Sequence, residues 1–404
     1  MTSRNSVPSR AVRAWRLFVL GSLTMFGAVC IDLYLPAFPK IAEFLNVEIN
    51  DMGLTLTSFL LGMGVGQLVY GPLSDRFGRK RPLVFGIIVF ILATLMCASS
   101  TTLVSLVMWR FVQALGASAG IVIARAIVRD LYSGIEMAKV MTILGMVFAL
   151  GPALAPSIGA LVLISGHWQW AFYSLAIFGV VMLVSVFTLP ETHTPESRNN
   201  HGFIKATRAY GEILNNRVFL ISALIFATDF GGFFSYVTSS PDVMMGVYGL
   251  NTTAYAIVFG LISLSLVVGS QINIRILPRF GNVLLLRVYT ALQLIGSMLL
   301  LLAAFINAPL LILILPLLLV ASVASSIAGL TMTMSLKPFA HLAGSASAMS
   351  GMFQMAAAGI VAAVLAILPF APTIQMAVVM VIGISAAFIL ARSSAVPHLE
   401  GSRK

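Results

Sequence analysis

The chain has 404 residues, of which 59% are hydrophobic and only 9% are Asp, Glu, Lys or Arg, and its mean hydropathy is +1.01. A soluble domain carries roughly 45–50% apolar and about 25% charged residues, so a water-exposed fold is excluded and the chain reads as an integral membrane protein. The formal net charge of +11 would suit a nucleic-acid surface, but its distribution along the chain, set out below, argues against that use.

A membrane-crossing helix needs about 20 mostly apolar residues. The basic start, MTSRNSVPSRAVRAWR, is followed by an apolar run over 17–38. That run is too long for the core of a cleaved signal peptide, so it is expected to be an uncleaved first span. It carries Asp32 within IDLYLPAFP (31–39). A second span over 52–72 leads into GPLSDRFGRKRP (71–82). There Asp75, Arg76, Arg79, Lys80 and Arg81 fall within seven residues of a chain that otherwise avoids charge. Further spans are expected at 83–100, at 102–124 (with Arg110 in RFVQALGASAG), at 140–164 (with GPALAPSIGA) and at 171–189.

The segment ETHTPESRNNHGFIKATRAYGEILNNR (191–217) is the only long hydrophilic connection. Its later part, FIKATRAYGEIL, fits either a short interfacial helix or a plain linker. Six more spans follow at 218–239, 253–273, 283–305, 309–334, 344–369 and 373–391, with Asp229 near the middle of the seventh. Backbone groups in lipid must be satisfied within the segment, so these spans are helices. The reading is an all-α membrane protein of twelve transmembrane helices: an N-terminal six-helix half (1–190), a cytoplasmic central loop (191–217) and a C-terminal six-helix half (218–404). RFG occurs at 76–78 and again at 279–281, each time after the second span of a half. Paired halves around a midplane site are a transporter architecture.

Loop charge sets the orientation. With a cytoplasmic N-terminus, only Lys40 of the 24 Lys and Arg residues falls in an external loop, and Arg110 falls inside a span. The other 22 lie at or near the cytoplasmic side. The basic balance is therefore a topology signal, and no nucleic-acid partner is expected. Both cysteines, Cys30 and Cys97, lie in apolar runs and read as small apolar fillers without a disulfide. No metal spacing, nucleophile constellation or phosphate loop is apparent, so neither an enzyme nor a cofactor is expected.

Several of these stretches resemble the signatures of one family. Gly71-Pro72-Leu73-Ser74-Asp75-Arg76-Phe77-Gly78-Arg79-Lys80 resembles the loop between the second and third helices of the major facilitator superfamily. RFVQALGASAG resembles the fourth-helix signature of its proton-coupled members. GPALAPSIGA resembles the fifth-helix antiporter signature through Gly151, Pro156 and Gly159, with Ala155 and Ala160 in place of glycines. Together with FAHLAGSASAM before the eleventh span, the set is similar to the Bcr/CflA drug:proton antiporters, the group of chloramphenicol- and bicyclomycin-resistance transporters. The resemblance implies a monomeric multi-pass exporter of small amphipathic compounds in a bacterial inner membrane, driven by the proton gradient, with both termini cytoplasmic. It also implies that Gly71, Asp75, Arg76, Gly78 and Arg79 form a conformational latch, and that the fifth helix bends during alternating access. For the latch, the positive N-terminal end of the eleventh span is expected to sit near Asp75, with Arg129 or another basic residue completing the cluster.

Ionisable residues inside spans are expensive and are functional candidates. Counted along their helices, Asp32 and Arg110 lie at matching depths from the outer face, so they can interact directly or through water. A carboxylate in a low-dielectric cavity favours its neutral form and a nearby guanidinium opposes this. The resemblance makes Asp32 the proton-binding group and Arg110 its tuner. Where some related exporters carry a second carboxylate in the first span, this chain has Thr24. Asp229 is expected to face the cavity between the halves, as a second proton site, a cation contact or a tolerated acid. Tyr34, Phe233 and Tyr236, with Asp32 and Asp229, are candidate lining of the substrate cavity. Two other readings stay open: an exporter of a native metabolite such as an amino acid or purine, and a sensor or scaffold that keeps a transporter fold.

Overall fold

The computed structural model describes residues 10–132, 134–193 and 202–393, and every regular element among them is helical. The extreme termini and most of the hydrophilic interval before residue 202 lie outside the described residues. The first span is broken. It consists of α1 (Arg10–Thr24), α2 (Phe26–Asp32), one 3-10 turn (Leu35–Ala37) and α3 (Phe38–Leu45), with a 50° bend between the first and later pieces. Pro36 has no N–H to offer the Asp32 carbonyl four residues back, and its ring crowds that carbonyl. Asp32 therefore ends α2.

The rest of the first half is α4 (Gly53–Phe77), α5 (Lys80–Ala98), α6 (Leu103–Leu131), α7 (Gly134–Val162) and α8 (Gln169–Phe187). After α9 (Gly202–Leu214) come α10 (Arg217–Pro241), α11 (Thr252–Phe280), α12 (Asn282–Phe305), α13 (Leu310–Leu336), α14 (Ala343–Ile367) and α15 (Pro372–Ala391). Ten described helices are long and apolar enough to cross a membrane, and the bent first span makes an eleventh. With α7, 29 residues long, the set corresponds to the twelve expected spans. α6 continues past the apolar window at 102–124 and α7 begins ahead of the one at 140–164, because polar residues near a helix end do not stop the helix. α9 is the short helix that the segment 203–214 allowed.

The RFG repeat has a conformational reason. Gly78 and Gly281 end α4 and α11 at φ +85° and +73°, a region that glycine enters without strain. Each turns the chain directly into the next span.

The two groups of helices meet along α4 with α14 and along α7 with α11. At one end of the seam Asn50 Nδ2 donates to the carbonyls of Leu365 and Ala366, at 3.2 and 3.3 Å. At the opposite end the Arg129 guanidinium lies against Gly344, where an added Cβ would fall 2.5 Å from Nη1. Both ends of the seam are thus bridged. Two prolines add cross-links of their own. Pro156 leaves the Pro152 carbonyl without its helical donor, and Ser263 of α11 donates to it at 3.3 Å. Pro72 does the same for the Leu68 carbonyl, which accepts from the Tyr210 hydroxyl of α9 at 3.2 Å.

Candidate functional site at the seam between the halves

Asp32 is 4% exposed and makes no ion pair or hydrogen bond among the described residues. The groups that feel its charge are the Tyr236 hydroxyl on α10 and the Tyr255 hydroxyl on α11, both in the other half. Tyr236 is buried and its hydroxyl has no hydrogen-bond partner. Ser240 Oγ donates to the Val237 carbonyl, so Tyr255 is the donor in its 2.9 Å contact with Ser240. Tyr236 stacks on Phe259 and touches Phe233, with ring centroids 5.5 and 5.8 Å apart. The result is one buried carboxyl from the first half whose charge is felt by an aromatic, hydroxyl-bearing wall from the second.

α7 packs against the segment that carries Asp32. A Cβ at Gly151 would lie 3.3 Å from Ala28, and one at Gly159 only 2.3 Å from the Leu33 carbonyl oxygen. Pro156 between them is buried. The glycines are what let α7 approach the break in the first span.

Arg110 is fully buried on α6, but it does not contact Asp32. Its Nη1 donates to Gln113 Oε1 at 2.6 Å and its Nη2 to the Cys30 carbonyl at 3.3 Å. That carbonyl is free because the Tyr34 N–H bonds to Ile31 instead, as the chain tightens toward the 3-10 turn. The guanidinium lies 4.6 Å from the Tyr34 ring centroid and 4.2 Å from that of Phe59, a desolvated cation–π arrangement. Gln113 Nε2 continues the chain to Thr94 Oγ1 at 2.8 Å. Matched depth gave the two charges equal height, but Arg110 turns into the first half while Asp32 faces the second. Tyr34 goes with Arg110: it packs on Phe38 and Phe172 and donates to Thr55 inside the first half, so it does not join the wall at the seam.

Asp229 is 1% exposed. The side chain it faces is Gln293 on α12, a helix packed on α13 and α15 within the second half. The expected orientation toward the space between the halves is therefore not found. Asp229 Oδ1 and both amide atoms of Gln293 have no hydrogen-bond partner of normal geometry.

At the turn between α4 and α5, Arg79 is 5% exposed. It pairs with Asp75, donates from Nε to Asp130 Oδ2 at 2.8 Å, and reaches Ser74 Oγ at 3.0 Å. Burial works to lower its pKa, the Asp130 and Asp75 carboxylates raise it, and the balance lies above the ordinary arginine value. Glu191 accepts from the backbone N–H groups of Arg79 and Lys80, at 2.9 and 3.1 Å, which satisfies the start of α5. Arg129 lies against the start of α14 at Gly344. Arg76 lies outside the cluster, exposed and over the Phe77 ring at 5.2 Å. Nothing lies within 4 Å of a Cβ added at Gly71. The sequence reading missed Phe59, Gln113, Asp130, Tyr255 and Gln293. A polar residue one helical turn from a spanning charge, as Gln113 is from Arg110, was the available signal.

The two groups of helices meet along a seam that carries a buried acid, and no cluster of metal ligands occurs among the described residues. Residues 17–363 match the profile of the Major Facilitator Superfamily, and the chain belongs to that family. It is 35% identical over 361 residues, 88% of its length and 89% of the relative's, to an uncharacterized MFS-type transporter, YdgK, of Bacillus subtilis. It is 32% identical to the bicyclomycin resistance protein homolog of Haemophilus influenzae, covering 72% and 73% of the two chains. It is 29% identical to the chloramphenicol resistance protein of Pseudomonas aeruginosa, over 70% and 67%. Among solved structures it superposes on a D-xylose–proton symporter with a TM-score of 0.76 at 18% identity, covering 98% of this chain and all of that one, a likeness of fold.

Proposed function

We propose that this protein exchanges protons for small amphipathic compounds, antibiotics among them, by alternating access across a bacterial inner membrane. The observation that carries the reading is Asp32: a buried, unpaired carboxyl at a break in the first span, turned to the opposite half. An ionised carboxylate without a partner is costly there, so its protonation is coupled to whatever opens the seam to water. Arg110 braces the break from behind, through the Cys30 carbonyl and the Tyr34 ring. A substrate that enters between Asp32 and the Phe233–Tyr236–Tyr255 wall competes with the proton, and that competition is exchange. The relatives named for bicyclomycin and chloramphenicol resistance supply the substrate class. The distribution of Lys and Arg supports cytoplasmic termini. The Arg79–Asp75–Asp130 cluster and the Arg129–Gly344 contact hold the inner end closed, and α7 bends at its prolines when that end opens.

The test is efflux of a phenicol and of a bicyclomycin-type compound from vesicles under an imposed pH gradient. Asp32→Asn keeps size and polarity, and is expected to fold but lose gradient-driven export, while Asp32→Glu retains part of it. Wild-type rates in Asp32→Asn would refute the role. Competition by an amino acid or purine, with no effect of either antibiotic, would move the substrate to a native metabolite.

A further inference from the structure

Asp229 is not used by the exchange at Asp32. It stands about 18 Å along α10 from Arg217, and Gln293 about 17 Å along α12 from Asn282, at 1.5 Å per residue. Both helices start at the cytoplasmic side, so the two side chains lie at one depth near the bilayer midplane. The helices packed most closely against α10, namely α13, α14 and α15, contain no Asp, Glu, Lys, Arg or His. α12 contributes Arg287, six residues below Gln293, and Tyr289. On α10 itself, Arg217 and Asp242 are confined to the two ends, and Tyr236 lies two turns toward the outer face. The ionisable residues of α9 (Lys205, Arg208, Tyr210 and Glu212) and the nearby end of α4 (Tyr70, Asp75 and Arg76) lie toward the cytoplasmic side. Among the described residues of α10 and the helices packed on it, no cation stands at the depth of Asp229.

Three buried atoms at this point lack partners: Asp229 Oδ1, Gln293 Oε1 and Gln293 Nε2. They are three of the four atoms of a carboxylic acid–amide pair, the fourth being Asp229 Oδ2. A protonated carboxyl donates to the amide oxygen while the amide N–H donates back to the carboxyl carbonyl. An ionised carboxylate leaves Gln293 Oε1 without a donor.

The polar atoms also form a track to the inner surface. Ser222 lies two turns before Asp229 on the same face of α10, buried, with its hydroxyl unpartnered. Thr290, one turn before Gln293, is buried and accepts from Arg392 Nη1 at 3.4 Å at the cytoplasmic end of α15.

We propose that Asp229 and Gln293 form a second proton-binding site, inside the C-terminal half and reached from the cytoplasm along Ser222 and Thr290. The step is the reversible transfer of one proton from water to the Asp229 carboxylate, with Gln293 as its positioning partner. Its use in transport rests on the exchange proposed above, but its existence does not.

The test is infrared spectroscopy of the purified protein in lipid nanodiscs, titrated from mildly acidic to mildly alkaline pH. The Asp32→Asn background removes the other buried carboxyl in the spans. A protonated carboxyl C=O band is expected in that background and is lost when Asp229→Asn is added. With Gln293→Leu instead, the band persists but moves to higher frequency, because its carbonyl has lost a donor. Thr290→Val is expected to slow deuterium exchange of the band. No band dependent on Asp229 would overturn the site, a band unmoved by Gln293→Leu would overturn the pairing, and unchanged exchange in Thr290→Val would overturn the route. Because transport is not read here, those failures leave exchange at Asp32 standing. Full export by Asp32→Asn would remove that exchange and leave the band untouched.

Discussion

Gly159→Ala adds one methyl group where α7 meets the break in the first span. The new Cβ would lie 2.3 Å from the Leu33 carbonyl oxygen, against an ordinary carbon–oxygen contact of about 3.3–3.6 Å. The obstacle is backbone, which no side-chain rotation can move, so α7 and the first span must separate by roughly 1 Å. Overpacking of this kind costs about 1–3 kcal/mol. The gain from replacing a helical glycine, about 0.8–1 kcal/mol, offsets part of it. The displaced atom is one residue from Asp32, so the loss should appear in export more than in membrane insertion. Gly71→Ala is the control, because an added Cβ there meets nothing within 4 Å and gains the same helix propensity. The assays are thermal unfolding of the solubilised protein and gradient-driven vesicle efflux. Gly159→Ala should lower both Tm and efflux rate, and Gly71→Ala should leave Tm unchanged or raise it. Equal Tm and efflux in Gly159→Ala and wild type would refute the argument that close approach at this point sets the position of Asp32.

Asp75→Asn removes one carboxylate from Arg79 but leaves the Asp130 and Ser74 contacts, so insertion should be unchanged while export slows and inner-face cysteine probes react faster; unchanged accessibility and transport would leave the loop with a topological role alone. Arg110→Lys keeps the charge, but a single ammonium cannot bond Gln113 and the Cys30 carbonyl while covering two rings. Each charge-assisted bond lost is worth about 1.5–3 kcal/mol, so export should fall at least tenfold, and near-wild-type efflux would show that charge alone suffices.

The sequence by itself determined the membrane class, the correspondence with twelve spans, the short interfacial segment as one of two options, and the crowded turn at 71–82. These follow from run length, charge and local backbone preference, which act over a few residues. The glycine repeat at 78 and 281 was visible for the same reason, since a positive φ is a local requirement. Counting along a helix at 1.5 Å per residue puts Asp32 and Arg110 at one height, and Arg110 does meet the first span beside Asp32, at the Cys30 carbonyl. What only the tertiary structure decided was direction around each helix axis. Azimuth depends on how a helix is rotated and crossed against its neighbours, and apolar residues all round these spans leave little periodicity to reveal it. Arg110 therefore turned to Gln113, Tyr34 and Phe59 instead of Asp32, and Asp229 turned to Gln293 instead of the seam. Tyr255 lies within the field of Asp32 from a helix more than 200 residues away in sequence. Height along a span is a property of the chain, whereas the partner met at that height belongs to the packed bundle.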